Sequence, residues 1–339
     1  MFYLYVVIFF LWTAIALYLL LGGADFGVGI LELFSKQKNE KRIEKIMYKE
    51  MGPVWEANHM WLVIVIVILF VAFPDIYAVF STYLHIPLLL MLMGIIARGT
   101  AFSFRNYDAI KDDWQYVYNK IFRYSSVITP FFLGMIAAAT VSGTIDMGAT
   151  DFMTAYIWSW LTPFGCALGI FTCSICGYLA ASYSLSHVKN IDDLTYLTTK
   201  VKIFLFAIVI TGGIVFLSAY TTGVPLLEWI FGEVIGWIAV SLATISIFGT
   251  LYALQLKKHS WIRLLAGFQV LTILFAVTYQ HYPNLVILKH GCLSLTEDQC
   301  IHKTIAMLAW ALMLGSIFIL PGVFHLIYSF QKKNNTETK

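Results

Sequence analysis

Glu56 and His59 stand three residues apart, the spacing that puts two side chains on one face of a helix. The purely apolar stretch that follows, Trp61 to Phe73, is too short to cross a hydrocarbon layer that takes about 20 residues, and Pro74-Asp75 marks its far end. A span here therefore begins near Pro53 or Val54, and Glu56, Asn58 and His59 lie within the membrane or at its edge. A carboxylate and an imidazole so placed can relay a proton, or can form a satisfied polar pair that locks two helices together. Spacing alone leaves both readings open.

A second acid sits at the inner end of the first apolar run. Counting about 20 residues inward from Phe2 to Tyr5 reaches Asp25, within Gly22-Gly23-Ala24-Asp25-Phe26-Gly27-Val28-Gly29. Small residues such as Gly22 and Gly29 let another helix approach closely, so Asp25 is expected to face protein. Glu32, seven residues further on the same face, is expected at the cytoplasmic surface. The first two runs are antiparallel neighbours, which puts Asp25 and Glu56 at similar depth near one water face. Two such acids resemble the entrance to a proton path; the plainer alternative is a helix-capping acid and a buried, hydrogen-bonded one.

Other polar residues carry less. His85, Glu233, Gln269 and His325 occur singly within or near apolar runs and read as packing or interfacial groups. Arg98 and Arg105 fall where the third run reaches the cytoplasm, and snorkelling to lipid headgroups is their ordinary explanation. Cys173 and Cys176 form a CxxC without a second ligand pair, which favours small-residue packing over a metal. Cys292 and Cys300 share one loop on the outer side and are candidates for a disulfide there. Haem needs axial ligands inside the bundle, and His59, His85 and His325 lack any pairing motif. No metal site, phosphate loop, dinucleotide fingerprint or nucleophile constellation is present in the sequence.

The elements that must position these groups are long apolar helices. Of 339 residues, 60% are apolar or aromatic and 12% are charged, with a mean hydropathy of +0.78. Soluble domains run at about 45–50% and about 25%, so an ordinary soluble enzyme is excluded. The unbroken runs also exclude a β-barrel. The net charge of +3 gives no nucleic-acid footprint. Nine spans are expected, at approximately 3–33, 53–73, 76–100, 117–142, 154–186, 197–220, 228–256, 260–281 and 304–330. Together they make residues 1–339 one all-α, polytopic integral membrane domain. The first run is too long for a removable signal peptide and lacks its cleavage pattern. Basic residues collect on cytoplasmic loops, and of the 22 Lys and Arg residues all but Lys289 and Lys303 fall on one side of this division. That asymmetry places the N-terminus outside and the C-terminus in the cytoplasm.

Four segments of the first third, taken together, carry a family resemblance. Gly23-Ala24-Asp25-Phe26-Gly27-Val28-Gly29 resembles the GFDFGVG signature of subunit II of the cytochrome bd quinol oxidases. Gly52-Pro53-Val54-Trp55-Glu56-Ala57-Asn58-His59-Met60-Trp61 is similar to that family's tryptophan stretch. Phe73-Pro74-x-x-Tyr77-Ala78 and Arg98-Gly99-x-Ala101-Phe102-x-Phe104-Arg105 continue the agreement in order. Beyond them the likeness rests on span count, hydropathy and Thr162-Pro163-Phe164-Gly165.

The resemblance implies two four-helix bundles plus one peripheral helix, in a bacterial cytoplasmic membrane. It implies the haem-free partner of a subunit I that carries haem b and haem d, in a complex that oxidises quinol and reduces dioxygen to water. No catalytic or cofactor-binding residue is then expected in this chain, which would stabilise subunit I and contribute to cytoplasmic proton uptake. Membrane lipids and a small single-span accessory subunit are further expected partners. Carried over by position, Asp25 matches the signature acid and Glu56 the usual Asp, with His59 adding a protonatable group where Gln or Glu is more usual. Gly27, Gly29, Trp55, Asn58, Trp61, Arg98 and Arg105 match signature positions. Gly22 replaces a common acid. The rival reading is a proton-coupled secondary transporter, which should show paired broken helices and an inverted repeat; a pure scaffold role for the acids is the other.

Overall fold

The computed structural model describes residues 1–35, 55–107, 114–185, 188 and 190–336. Gly52, Pro53, Val54 and the basic residues Lys36 to Lys49, Lys111, Lys189 and Lys339 lie outside the described residues, as does the side chain of His325. Among the described residues, nine helices are long and apolar enough to cross a membrane. They are, in order, Phe2–Leu33, Trp55–Ala72, His85–Arg105, Trp114–Val141, Pro163–Ser184, Ile191–Thr222, Val234–Gln255, His259–Thr278 and His302–Ile319, the last continuing as helix to Thr336.

Four expected starts move, one of them earlier: the sixth span begins at Ile191 rather than 197, where Asn190 Oδ1 accepts from the Asp192 amide at 3.0 Å. The third span begins at His85 rather than near 76, because Pro74–Tyr83 forms a separate short helix that ends at Leu84. The fifth begins at Pro163 rather than 154, where Phe152–Tyr156 is a single detached turn. The seventh begins at Val234 rather than 228, after the short helix Leu226–Phe231. Each of the three delayed starts follows a short helix that the apolar run includes. The fifth span starts at Thr162-Pro163 for a local reason. The Thr162 hydroxyl accepts from the Gly165 amide at 2.9 Å, an N-cap with proline at the first helical position.

The fifth span organises the interior. Its sequence is rich in small residues, among them Gly165, Ala167, Gly169, Cys173, Cys176, Gly177, Ala180 and Ala181. Helices without a hydrophobic drive to associate pack best where backbones can close in. The first, fourth, sixth and eighth spans accordingly all pack on it, and Cys173 and Cys176 serve that packing as free thiols. The third span packs on the fourth, the seventh on the eighth, and the ninth on the outer half of the first and on the second.

The first span is interrupted by one wider, π-helical turn at Tyr18–Gly22. Such a turn inserts an extra residue and frees a carbonyl; here Asn58 Nδ2 donates to the Leu21 carbonyl at 3.4 Å.

On the side expected to face outward, the two longest loops are tied together. Asn284–Ile287 (β1) and Cys292–Ser294 (β2) pair as an antiparallel hairpin. The Lys289 amide donates to the Ile145 carbonyl at 2.9 Å, and Lys289 Nζ meets Asp146 Oδ2 at 2.8 Å. Cys292 and Cys300, candidates for a disulfide, are free thiols. Cys292 is exposed on β2, whereas Cys300 is half-buried and its amide donates to the Ala72 carbonyl at 2.8 Å.

Candidate functional site

Asp25 is buried at the inner end of the first span, 1% exposed. Arg98, on the third span, donates from Nη1 to Asp25 Oδ2 at 2.6 Å and from Nη2 to Oδ1 at 2.8 Å. The same Nη2 reaches the Asp25 backbone carbonyl at 2.8 Å, and Nε donates to Ser126 Oγ at 3.0 Å. The guanidinium thus spends its fork on one carboxylate, the geometry in which arginine binds most strongly.

The arrangement repeats one step inward. Arg105 Nη1 donates to Glu32 Oε2 at 2.8 Å and Nη2 to Oε1 at 3.3 Å; Arg123 Nε lies 3.7 Å from the same carboxylate. Asp25 and Glu32 are seven residues apart, as are Arg98 and Arg105, so two acid rungs on one helix meet two arginine rungs on another. The ring of Phe122 separates the rungs, with Arg98 at 4.9 Å and Arg105 at 4.1 Å from its centroid. Two expectations are corrected here. Arg98 and Arg105 do not snorkel to headgroups, being 2% and 6% exposed, and Glu32, 1% exposed, is not at the surface. Charges at this depth need partners, and each side supplies them to the other.

The signature glycines make room for this. At Gly27 a Cβ would sit 1.9 Å from the Cys176 carbonyl oxygen, and at Gly29 it would sit 2.2 Å from Ser126 Oγ. The first allows the backbones of spans one and five to touch. The second admits the hydroxyl that receives Arg98 Nε, so Gly29 acts on the ion pair through Ser126.

On the second span, His59 Nε2 lies 4.0 Å from Asp25 Oδ2, and the imidazole is ringed by Tyr18, Phe26 and Trp55 at centroid distances of 6.2, 5.8 and 6.4 Å. Trp55 packs on Phe102 at 5.3 Å and across Gly99. Asn58 and Trp61 are buried. Glu56 is different: it is exposed, at the start of the helix, and does not share the face that turns His59 toward Asp25. The structure therefore joins Asp25, His59 and Arg98 in one cluster and leaves Glu56 beside it.

His85 is exposed and its Nδ1 is 2.7 Å from the Thr82 carbonyl. Among the described residues no group of three or more His, Cys, Asp or Glu side chains could hold a metal ion. Tyr18 was not singled out by the sequence, yet its side chain borders both the cluster and an apolar cavity of about 690 Å³, lined also by Trp12, Leu62, Leu133, Phe216 and Gln269.

Comparisons with known proteins show the family. The family model described as cytochrome bd terminal oxidase subunit II matches residues 3–330. The chain is 28% identical over 205 residues to cytochrome bd ubiquinol oxidase subunit 2 of Bacillus subtilis (strain 168), covering 60% of this chain and 59% of that one. It is 26% identical over 174 residues to cytochrome bd-I ubiquinol oxidase subunit 2 of Escherichia coli (strain K12), covering 49% and 45%. The matches thus span between under half and three-fifths of those relatives' lengths. A chain in the solved structure of bd oxidase from Geobacillus thermodenitrificans has the same fold, with a TM-score of 0.78 over 97% of this chain and 99% of that one at 17% identity. With its family model matched almost from end to end, this chain belongs to the cytochrome bd terminal oxidase subunit II family.

Proposed function

We propose that this chain is the haem-free second subunit of a quinol-oxidising, dioxygen-reducing terminal oxidase, that it stabilises a haem-bearing subunit I, and that it contributes to proton uptake from the cytoplasm. The observation that carries the proton role is the cluster of Asp25, Arg98 and His59 buried at the inner end of the first two spans. In such a complex the haems b and d of the partner supply electron transfer from quinol to dioxygen.

The residues of this chain take three parts. Glu56, exposed at the start of the second span, is the group that meets cytoplasmic water first. His59 accepts and releases a proton inside. Asp25, fixed by Arg98, faces the imidazole from 4.0 Å. Protons for water are drawn from the inside while quinol releases its own outside, so charge moves across the membrane without a pumping step. The excess of basic residues on the inner loops supports an outer N-terminus and an inner C-terminus.

The proposed arrangement is one integral domain of two four-helix bundles with the ninth span peripheral. Exposed apolar side chains such as Val63, Phe70, Met93 and Phe248 suit lipid, subunit I or a small single-span accessory subunit.

The test is a dithionite-reduced minus oxidised spectrum of the complex copurified with this tagged chain, set beside the chain expressed alone. Haem b and d bands from the complex only are expected; no haem in either would overturn the oxidase reading and favour a transporter. Asp25→Asn, Glu56→Gln and His59→Leu variants then test the proton role. Assembled complexes with normal oxygen consumption and charge movement would reduce these residues to a scaffold.

A further inference from the structure

Among the described residues, two polar atoms beside the cluster have no hydrogen-bond partner. They are the Tyr18 hydroxyl and His59 Nδ1, and both are buried from solvent. A polar atom inside hydrocarbon has no bulk water to fall back on, and buried groups left unmatched by protein are ordinarily met by ordered water. The two atoms belong to neighbouring rings, 6.2 Å apart between centroids.

The chain holds Tyr18 in place by specific means. It opens the wider turn of the first span, and its ring lies across Gly22, where a Cβ would be 2.9 Å from ring carbon Cε2. Phe26 closes the inner side at 6.3 Å. Tyr18 stands seven residues before Asp25 as Asp25 stands before Glu32, and all three are buried. The polar seam of the first span therefore continues past the ion pairs to the Tyr18 hydroxyl.

We propose that Tyr18 is a proton-relay residue, its hydroxyl joined to His59 Nδ1 by bound water, so that the proton leaves the Asp25 cluster through His59 and Tyr18. This rests on the proton-uptake reading above. Asp25 is a poor carrier here, because both its oxygens are committed to Arg98. In the step, protonated His59 gives its Nδ1 proton to the bridging water. That water gives a proton to the Tyr18 oxygen as the hydroxyl releases its own to a second water bound at that hydroxyl. Tyr18 ends neutral and His59 ends as the neutral imidazole with its proton on Nε2; rotation of the ring resets it. The charged and titratable groups around this pair are Asp25 and Arg98, with Cys176 of the fifth span beside Tyr18, and Glu56 three residues before His59.

The test uses the complex purified with its partner subunit, comparing wild type with Tyr18→Phe and His59→Leu. The measurements are the haem spectrum, thermal stability, quinol-driven oxygen consumption from mildly acid to mildly alkaline pH, and the solvent deuterium isotope effect. Tyr18→Phe is expected to keep the haem spectrum and stability, to lower turnover by about tenfold or more where protons are scarce, and to raise the isotope effect. A purely structural hydroxyl predicts unchanged turnover, or lost assembly, on its removal, and either result overturns the proposal. Wild-type turnover in Tyr18→Phe with an impaired His59→Leu removes Tyr18 alone from the route. Wild-type turnover in both, and in Asp25→Asn, removes the uptake reading as well.

Discussion

Asp25 and Arg98 form a two-point clasp with both partners almost wholly buried, at 2.6 and 2.8 Å. Once both charges are out of water, neither can be lost alone without leaving the other stranded. The clasp joins the first and third spans through side chains that reach over the fourth, and it fixes the acid that faces His59.

Arg98→Ala is expected to destabilise the folded chain by about 3–5 kcal/mol, the range for removing one partner of a buried pair. Arg98→Lys is expected to fall short of wild type, since an ammonium cannot reproduce the fork. Pairing Arg98→Gln with Asp25→Asn should recover part of the loss. Thermal unfolding of the detergent-solubilised complex reads all three; a double variant no better than Arg98→Gln alone would count against the clasp.

Gly29→Ala drives a methyl into Ser126 Oγ and should cost about 1–3 kcal/mol, typical of overpacking. Combining it with Ser126→Gly, which removes both the Oγ at 2.2 Å and the Cβ at 2.4 Å, should relieve most of the clash while leaving Arg98 Nε unserved. Gly27→Ala meets a backbone carbonyl instead of a side chain, so no single compensating substitution is expected. Yields of monodisperse protein, compared across the three variants, check the order.

The tied loops around Asp146 and Lys289 carry a pH dependence of known sign. Lys289 and the Gly148 amide both donate to Asp146 and hold its carboxyl below the usual carboxylate range. Its folded pKa is below its unfolded one, so the stabilisation is present above the unfolded value and is lost as pH falls through the folded one. Amide exchange in the 284–294 hairpin, corrected for the intrinsic pH dependence, should lose protection on acidification, and Asp146→Asn should show that reduced protection already at neutral pH.

Cys292 offers a check on orientation, being exposed on β2 while Cys176 is buried. A membrane-impermeant maleimide should label Cys292 in spheroplasts and spare it in inverted vesicles. The reverse pattern would invert the assigned topology.

The spans are legible because each is a long apolar run; three starts fall later where a short helix precedes the span, and the sixth falls earlier because its first turn carries the polar residues Asp192 and Asp193. Arg98 was misread for a related reason: hydropathy reports depth and says nothing of a partner on another span. A signal was nevertheless present in the equal spacing of Asp25 to Glu32 and Arg98 to Arg105, since two parallel helices with matching intervals can be laddered together. Glu56 and His59 show the limit of spacing within one helix. Three residues apart, they still divide between an exposed site and an interior one, because Asp25 and the aromatic rings around the imidazole decide the interior side.

The wider turn at Tyr18–Gly22 takes up one extra residue while keeping the helix on either side of it in phase, because five residues wound π-helically turn through about the same angle as four wound α-helically. Removing one residue between Leu19 and Leu21 would therefore let the span close to ordinary winding with Asp25 and Glu32 still facing their arginines and Leu4 and Leu11 still buried, and would take away the opened Leu21 carbonyl that Asn58 meets. A single-codon deletion here should assemble where the same deletion between Leu4 and Leu11, with no wide turn to absorb it, should not, a contrast that deep mutational scanning with indels can read directly.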